Sequence, residues 1–207
     1  MKLFLKTTIK DKTFSAKALS GQAGFTLTEI MSVLTISVAV MVMVYNIFII
    51  SQKTFSSGDN LLEISQNARI LLDRLTRELR QTPQIATDLP VDKNQVGFLP
   101  ADEIMFQDGH DAPEIVYIRY FLDQNRVIRQ KLYYYFNEEP STKVEWNATD
   151  SFGQLPEQTI MEEKTVAEYI EQIQFYGASL TSIEIWLDKN NQEAHFFTSI
   201  WGRNTRN

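Results

Sequence analysis

The sequence contains no cysteine. Disulfides, thiolate nucleophiles, Cys-ligated zinc and lipid anchors on a modified cysteine are thereby excluded. An exported domain of this chain rests on its core alone. Between Phe25 and Thr82 there is no proline and only one glycine, Gly58, so strong helix breakers are missing from that stretch. Charge is missing from Ile30 to Ile50, 21 consecutive positions. Basic charge is scarce further on: removing Lys2, Lys6, Lys10, Lys12, Lys17 and Asp11 from the total of 20 basic and 26 acidic side chains leaves 15 against 25. That balance disfavours nucleic-acid binding, which needs a basic footprint. There is no Gly-x-Ser-x-Gly elbow and no phosphate loop.

The 207 residues, 43% apolar and 22% charged, are too hydrophobic for a disordered chain and suit one moderate domain plus an extension. As a helix, Ile30 to Ile50 would span roughly 31 Å, enough to cross a bilayer. Lysines ahead of this run and acidic sequence after it place the N-terminus in the cytoplasm and the bulk of the chain outside, by the positive-inside rule. Beyond the span, Phe55, Leu61, Ile64, Ala68, Leu71, Leu72, Leu75 and Leu79 recur at spacings of three and four. This predicts an amphipathic helix that stops at Thr82-Pro83, its apolar stripe under a sheet and Arg74, Arg77 and Arg80 toward water or neighbours. The apolar and amphipathic pieces read as one rod of roughly 80 Å, with Gly58 as the place to bend.

After Pro83 the texture changes to short β-branched and aromatic runs punctuated by Gly, Pro, Asn and Asp, the pattern of antiparallel strands. One hairpin is predicted over Glu114 to Phe136, turning at Asp123-Gln124-Asn125-Arg126. A second joins Ser182 to Leu187 with Ala194 to Ile200 through Asp188-Lys189-Asn190-Asn191, with Ile183, Ile185 and Leu187 on one face. Ile173 to Tyr176, Gln95 to Leu99 and Glu103 to Gln107 are further strand candidates. Asn137 to Lys164 reads as a long polar loop. The aromatic run Tyr133-Tyr134-Tyr135-Phe136 puts rings on both faces of its strand.

A secretory signal is cut after its apolar region, yet Gly24-Phe25-Thr26-Leu27-Thr28-Glu29 sits before it. Glycine at 24 would let a protease bring the backbone close to its catalytic groups. This motif, followed by a long apolar helix, resembles the type IV prepilin processing site shared by pilins and the pseudopilins of type II secretion and competence. The resemblance implies that a membrane-embedded prepilin peptidase cuts between Gly24 and Phe25 and methylates the new amino group of Phe25. It also implies that other subunits are partners through the N-terminal helix, and that an inner-membrane platform driven by a cytoplasmic ATPase assembles the filament.

Glu29 is expensive in a bilayer, about 2.5 to 3.5 kcal/mol for an acidic group at mid-depth. In that family this glutamate meets the N-terminal ammonium of a neighbouring subunit and sets axial register. The plainer reading is a carboxylate at a helix N-terminus, favoured by the helix dipole. The stretch Gln66 to Gln81, the hairpin around Val116 to Gln130 and the strand Ile173 to Tyr176 are similar to J-type minor pseudopilins and W-type minor pilins. The 24-residue leader is longer than many, and the membrane helix lacks the proline of many major pilins. Glu29 argues against a K-type tip subunit.

His110 and His195 read as surface histidines, and no catalytic residue is assigned. Two acidic patches, Asp102-Glu103 with Asp108 and Asp111, and Asp188-Asn190-Asn191-Glu193, offer hard oxygen ligands of the kind calcium prefers, as in some pseudopilins. Neither has EF-hand spacing, turn chemistry accounts for both, and no cofactor or metal is assigned. Asn147-Ala148-Thr149 matches a glycosylation sequon, but the prepilin motif implies a prokaryote, where that modification is uncommon. The expected fold is α+β and pilin-like: a leader over 1–24, an assembly helix over 25–50, its amphipathic continuation over 51–82, and an antiparallel outer domain over 83–207. The expected function is a minor pilin or pseudopilin in a tip-proximal complex, first in the cytoplasmic membrane and then in an extracytoplasmic filament. Two readings compete with it: an uncleaved bitopic anchor bearing a binding or sensor domain, and an exported enzyme cut near Ser57-Gly58.

Overall fold

A computed structural model describes residues 24–110 and 114–202. The lysine-rich leader up to residue 23 and Asp111 lie outside the described residues. The chain divides into two units, residues 1–51 and 52–207. A single helix, α1 (Leu27–Gln81, 55 residues), gives its first part to one unit and its remainder to the other.

In the first unit the apolar window of α1 is long enough to cross a membrane, and none of it is buried. In the second, Ile64, Ala68, Leu71, Leu75 and Leu79 are buried, at the spacing of three and four that the sequence carries. Phe55 and Leu61 stay exposed, so the covered stripe starts at Ile64. The helix is assigned without interruption through Gly58 and ends at Gln81, one residue before Thr82-Pro83. Thr82 is buried, and its hydroxyl donates to the carbonyls of Gln84 (2.8 Å) and Gln107 (2.7 Å), tying the helix end to the first strand.

Eight strands follow: β1 (Glu103–Gln107), β2 (Tyr117–Asp123), β3 (Arg126–Phe136), β4 (Glu139–Val144), β5 (Glu157–Glu168), β6 (Ile170–Tyr176), β7 (Leu180–Lys189) and β8 (Gln192–Trp201). All pairings are antiparallel. The first sheet runs β1-β2-β3-β4, with β5 also on β3; the second is the meander β6-β7-β8. Leu132 pairs with both Tyr117 and Ile160, and Tyr134 with both Val144 and Gln158. Thus β5 takes one whole edge of β3, while β2 and β4 share the other.

Both predicted hairpins are present. The β2–β3 turn is Gln124-Asn125, with Gln124 at φ 54°. The β7–β8 turn is Asn190-Asn191, both left-handed at φ 53° and 63°, which matches the twist of a two-residue hairpin. Ile183, Ile185 and Leu187 are buried together. Their core joins α1, both sheets and Tyr120, Phe106 and Phe175 in one cluster. This is the α+β helix-on-antiparallel-sheet arrangement expected, with the sheet divided in two.

Two expectations are corrected. Gln95 to Leu99 is a turn: Gly97 is left-handed (φ 81°) and Val96 is 99% exposed, so nothing buries a strand face there. The polar stretch from Asn137 to Lys164 is not a loop throughout, because it holds β4 and most of β5. Strand β5 is sparsely apolar, and polar side chains flank its ladder with β3: Glu162 accepts from Arg129 (3.4 Å) and Glu163 from Gln130 (2.6 Å).

Candidate functional site

The residues around the predicted cut form the start of α1. Gly24, Phe25 and Thr26 precede the helix. The Thr26 carbonyl accepts the N–H groups of Glu29 (3.0 Å) and Ile30 (3.2 Å), which makes Thr26 the N-cap. Its hydroxyl also accepts the Glu29 N–H at 3.3 Å. Glu29 reciprocates: its Oε2 accepts the Thr26 N–H and the Thr26 hydroxyl, each at 3.1 Å. This is a capping box, in which a threonine and a glutamate three residues on satisfy each other's backbone donors. From the sequence Glu29 is read only as a carboxylate favoured by the helix dipole; the spacing Thr26-x-x-Glu29 is the signal that points to the box.

The structure therefore holds Glu29 against Thr26, one residue beyond the expected new N-terminus. Phe25 is 80% exposed. A side chain placed on Gly24 would meet nothing within 4 Å, so the fold of the described residues does not require glycine there. Further along, Ser32 donates to the Thr28 carbonyl (2.8 Å), Thr35 to Met31 (2.8 Å) and Asn46 to Val42 (2.9 Å). Each polar side chain of these three is thus satisfied one turn back on its own helix.

In the second unit the polar groups are structural in geometry. Glu78 on α1 accepts from Tyr120 Oη (2.7 Å), Arg129 Nε (3.2 Å) and Arg74 Nε (3.3 Å). Arg74 is half-buried in that network rather than facing water, whereas Arg77 and Arg80 are exposed. Burial pushes the Tyr120 hydroxyl far up, and the Glu78 carboxylate reinforces it. For Arg129 burial works against the charge, but Glu78 outweighs it and the guanidinium is held above its ordinary value.

A second network surrounds Glu184 on the outer face of β7: Lys93 Nζ and Tyr176 Oη each lie 2.5 Å away, and His195 Nε2 lies at 3.4 Å. His195 also stacks on Trp186, with centroids 4.7 Å apart. His110 remains half-exposed beside Asp108 Oδ1 (3.0 Å), and Asp108 is also paired with Lys131 at 3.1 Å. Glu103 is paired with Arg119. Among the described residues no group of three or more His, Asp or Glu side chains is placed to hold a metal ion. Compared with protein-family models, curated proteins and solved structures, the chain matches none.

Proposed function

We propose that the chain is a type IV prepilin-like precursor. Prepilin peptidase cuts it between Gly24 and Phe25, Phe25 is N-methylated, and the product enters a type IV pilus or type II secretion pseudopilus as a minor subunit near the initiating tip. One observation carries this reading. The glycine stands immediately ahead of the capped start of α1, in a place where the fold makes no use of its missing side chain. The apolar window then follows within the same helix, and so survives the cut.

Cleavage creates an ammonium on Phe25. On an adjacent subunit Glu29 supplies the opposite charge, and in an apolar bundle such a pair offsets the cost of carrying either group alone. The capping box defines what the unassembled subunit does with Glu29 in the meantime: the carboxylate is turned back on Thr26. Assembly then exchanges one set of partners for another.

That same box favours a second reading, since it gives Glu29 a task that needs no other subunit. An uncleaved bitopic protein would keep its leader and present the outer unit as a binding or sensor domain. Mass spectrometry of the N-terminus of protein purified from native membranes separates the two. A chain starting at N-methylated Phe25 is the expected result; a chain retaining Met1 throughout would overturn the precursor reading in favour of the anchor.

A further inference from the structure

An edge strand left bare is a template for another strand, and sheets blunt their edges accordingly. Among the described residues five strands stand at an edge, β1, β4, β5, β6 and β8. Four of them are blunted. The free side of β1 is covered by the segment after α1: Ile85 bridges Phe106, and the N–H groups of Ala86 and Thr87 donate to the Met105 carbonyl at 2.8 and 3.2 Å. That of β6 is covered by Ala101, which exchanges two backbone hydrogen bonds with Phe175 (3.0 and 2.8 Å). Strand β4 carries Pro140, which has no N–H to offer. Strand β5 shifts register twice against β3, with Val166 and Met161 as the extra residues, and carries Glu157, Glu162, Glu163 and Glu168.

Strand β8 has none of these devices. It pairs with β7 over ten consecutive positions, from Leu180–Trp201 to Lys189–Gln192, without a register shift, and among the described residues nothing pairs with its other side. Its second half, Phe196 to Trp201, holds no charge, no proline and no glycine. On the face away from the core Phe197 is 56% and Trp201 67% exposed, and Leu180, opposite Trp201 on β7, is exposed as well. Ser199 lies between the two rings along the strand, its hydroxyl 3.1 Å from that of Ser182.

We infer that β8 pairs antiparallel with β8 of a second copy of this chain, about a two-fold axis at Ser199. The charge pattern is self-complementary in that direction only. Strand β8 opens with Glu193, and the sequence beyond Trp201 carries Arg203 and Arg206. Antiparallel copies set the acidic beginning toward the basic sequence, whereas parallel copies set like beside like. The faces must also agree: side chains alternate, so only a register joining residues of equal parity keeps both cores on one side of the joined sheet. Centring on Ser199 does so. It sets a small serine against itself and Phe197 opposite Trp201 of the partner subunit, twice, an aromatic cross-strand pair of the kind that stabilises sheets. Two three-stranded meanders then become one six-stranded sheet. The seam lies within the second unit and is independent of processing at Gly24-Phe25.

The chain's lack of cysteine makes the test direct. Ser199→Cys introduces a single thiol, and in an antiparallel pair the α-carbons of the two copies at that position lie about 4.5–5.5 Å apart, within disulfide reach. Glu193→Cys, near the start of β8, puts the two thiols about 40 Å apart. Full-length protein in detergent micelles, mildly oxidised and run on a gel without reductant, should give a linked dimer for Ser199→Cys and monomer for Glu193→Cys. Trp201→Glu, at an exposed position, should slow the linkage of Ser199→Cys about tenfold. Adding Phe197→Lys to that chain should restore it, because the two introduced charges then face each other across the seam. No linkage at Ser199→Cys, equal linkage at both positions as from contact through α1 alone, or no rescue by Phe197→Lys would each overturn the pairing centred on Ser199.

Discussion

The hydroxyl of Tyr120 on β2 donates to Glu78 Oε2 on α1 over 2.7 Å, joining residues 42 apart in sequence. The same carboxylate carries Arg129, whose side chain is 7% exposed. Glu78 thus holds both a tyrosine and a buried guanidinium of the sheet to the helix.

Removing that acceptor should cost more than removing either donor's hydrogen bond. Glu78→Ala leaves the buried Arg129 charged with only its longer contact to Glu162 (3.4 Å), and is expected to destabilise by about 3 kcal/mol. Tyr120→Phe deletes one hydrogen bond to a charged group, about 1.5–3 kcal/mol. Urea unfolding followed by tryptophan fluorescence gives both values, and a larger loss for Tyr120→Phe would contradict this ranking.

Stability should fall at both ends of the pH scale through the Glu184 network. Burial raises the Glu184 pKa, but hydrogen bonds from Lys93 and Tyr176 outweigh it and the net shift is downward; Asp108, held by His110 and Lys131 against the same burial, also shifts down. Depressed carboxylates contribute stability that is present above their unfolded values near pH 4 and is lost as pH falls through the lower folded values. Tyr176 moves the other way, pushed up to about 12 by burial and then by Glu184. Its contribution is present below about pH 10 and is lost as pH rises through 12. Glu184→Gln should shallow the acid limb and shorten the alkaline one in urea midpoints measured across pH; unchanged slopes on both limbs would refute the assignment.

At the helix start, capping and register are separable. Thr26→Ala removes the cap but keeps the carboxylate, and costs about 1 kcal/mol of local helix stability. Glu29→Ala removes the carboxylate and its half of the box, while the Thr26 hydroxyl and carbonyl still accept the backbone N–H of position 29. If Glu29 sets register between subunits, both variants are processed, Thr26→Ala is incorporated into filaments and Glu29→Ala is impaired, as read by immunoblots of sheared filaments. Equal incorporation of the two would leave Glu29 with only its capping role. Gly24→Leu should instead accumulate uncut precursor on the same blots.

Gly177 connects β6 to β7 at φ 112°, and a Cβ there would lie 1.9 Å from the Leu180 carbonyl oxygen. Gly97 is also left-handed, at φ 81°, but has open space around it. Gly177→Ala is therefore expected to destabilise by more than the 1–3 kcal/mol typical of a strained backbone, and Gly97→Ala by about 1 kcal/mol. Thermal melts of the two variants check the difference; similar losses would mean that the clash relaxes without cost.

Features specified by local chemistry were legible in the sequence. The helix stop follows from Thr82-Pro83, the two hairpin turns from Gln124-Asn125 and Asn190-Asn191, and the packed stripe from the spacing of Ile64 to Leu79. Strand β5 was not legible, because Gln158 to Lys164 shows no apolar alternation; what holds it is the complementary polar row on β3, a property of the partner. The division into two sheets was hidden for a similar reason. It occurs at Tyr169, a left-handed residue (φ 64°) between β5 and β6 whose ring lies 4.4 Å from Lys189 Nζ, a contact that sequence spacing does not encode. At the candidate site Glu29 was legible as a carboxylate at the helix start, while its turn back onto Thr26 was signalled by the Thr26-x-x-Glu29 spacing and went unread.

The long separation between α1 and the strands that cover it bears on synthesis. The Glu168 N–H donates to Asn67 Oδ1 across 101 residues, and Asn190 reaches Asn60 across 130. At about 5–20 residues per second, roughly 5–20 s pass between the emergence of the helix and that of β5 to β8. During that interval the stripe from Ile64 to Leu79 has β1 to β3 available but lacks the part of its cover that Ala167, Ile173, Phe175, Ile183, Ile185 and Leu187 supply. The meander β6-β7-β8, built from neighbours in sequence, closes quickly once made. Biogenesis thus has a vulnerable window set by topology, in which a holdase that shields the amphipathic half of α1 would raise the yield of folded chain.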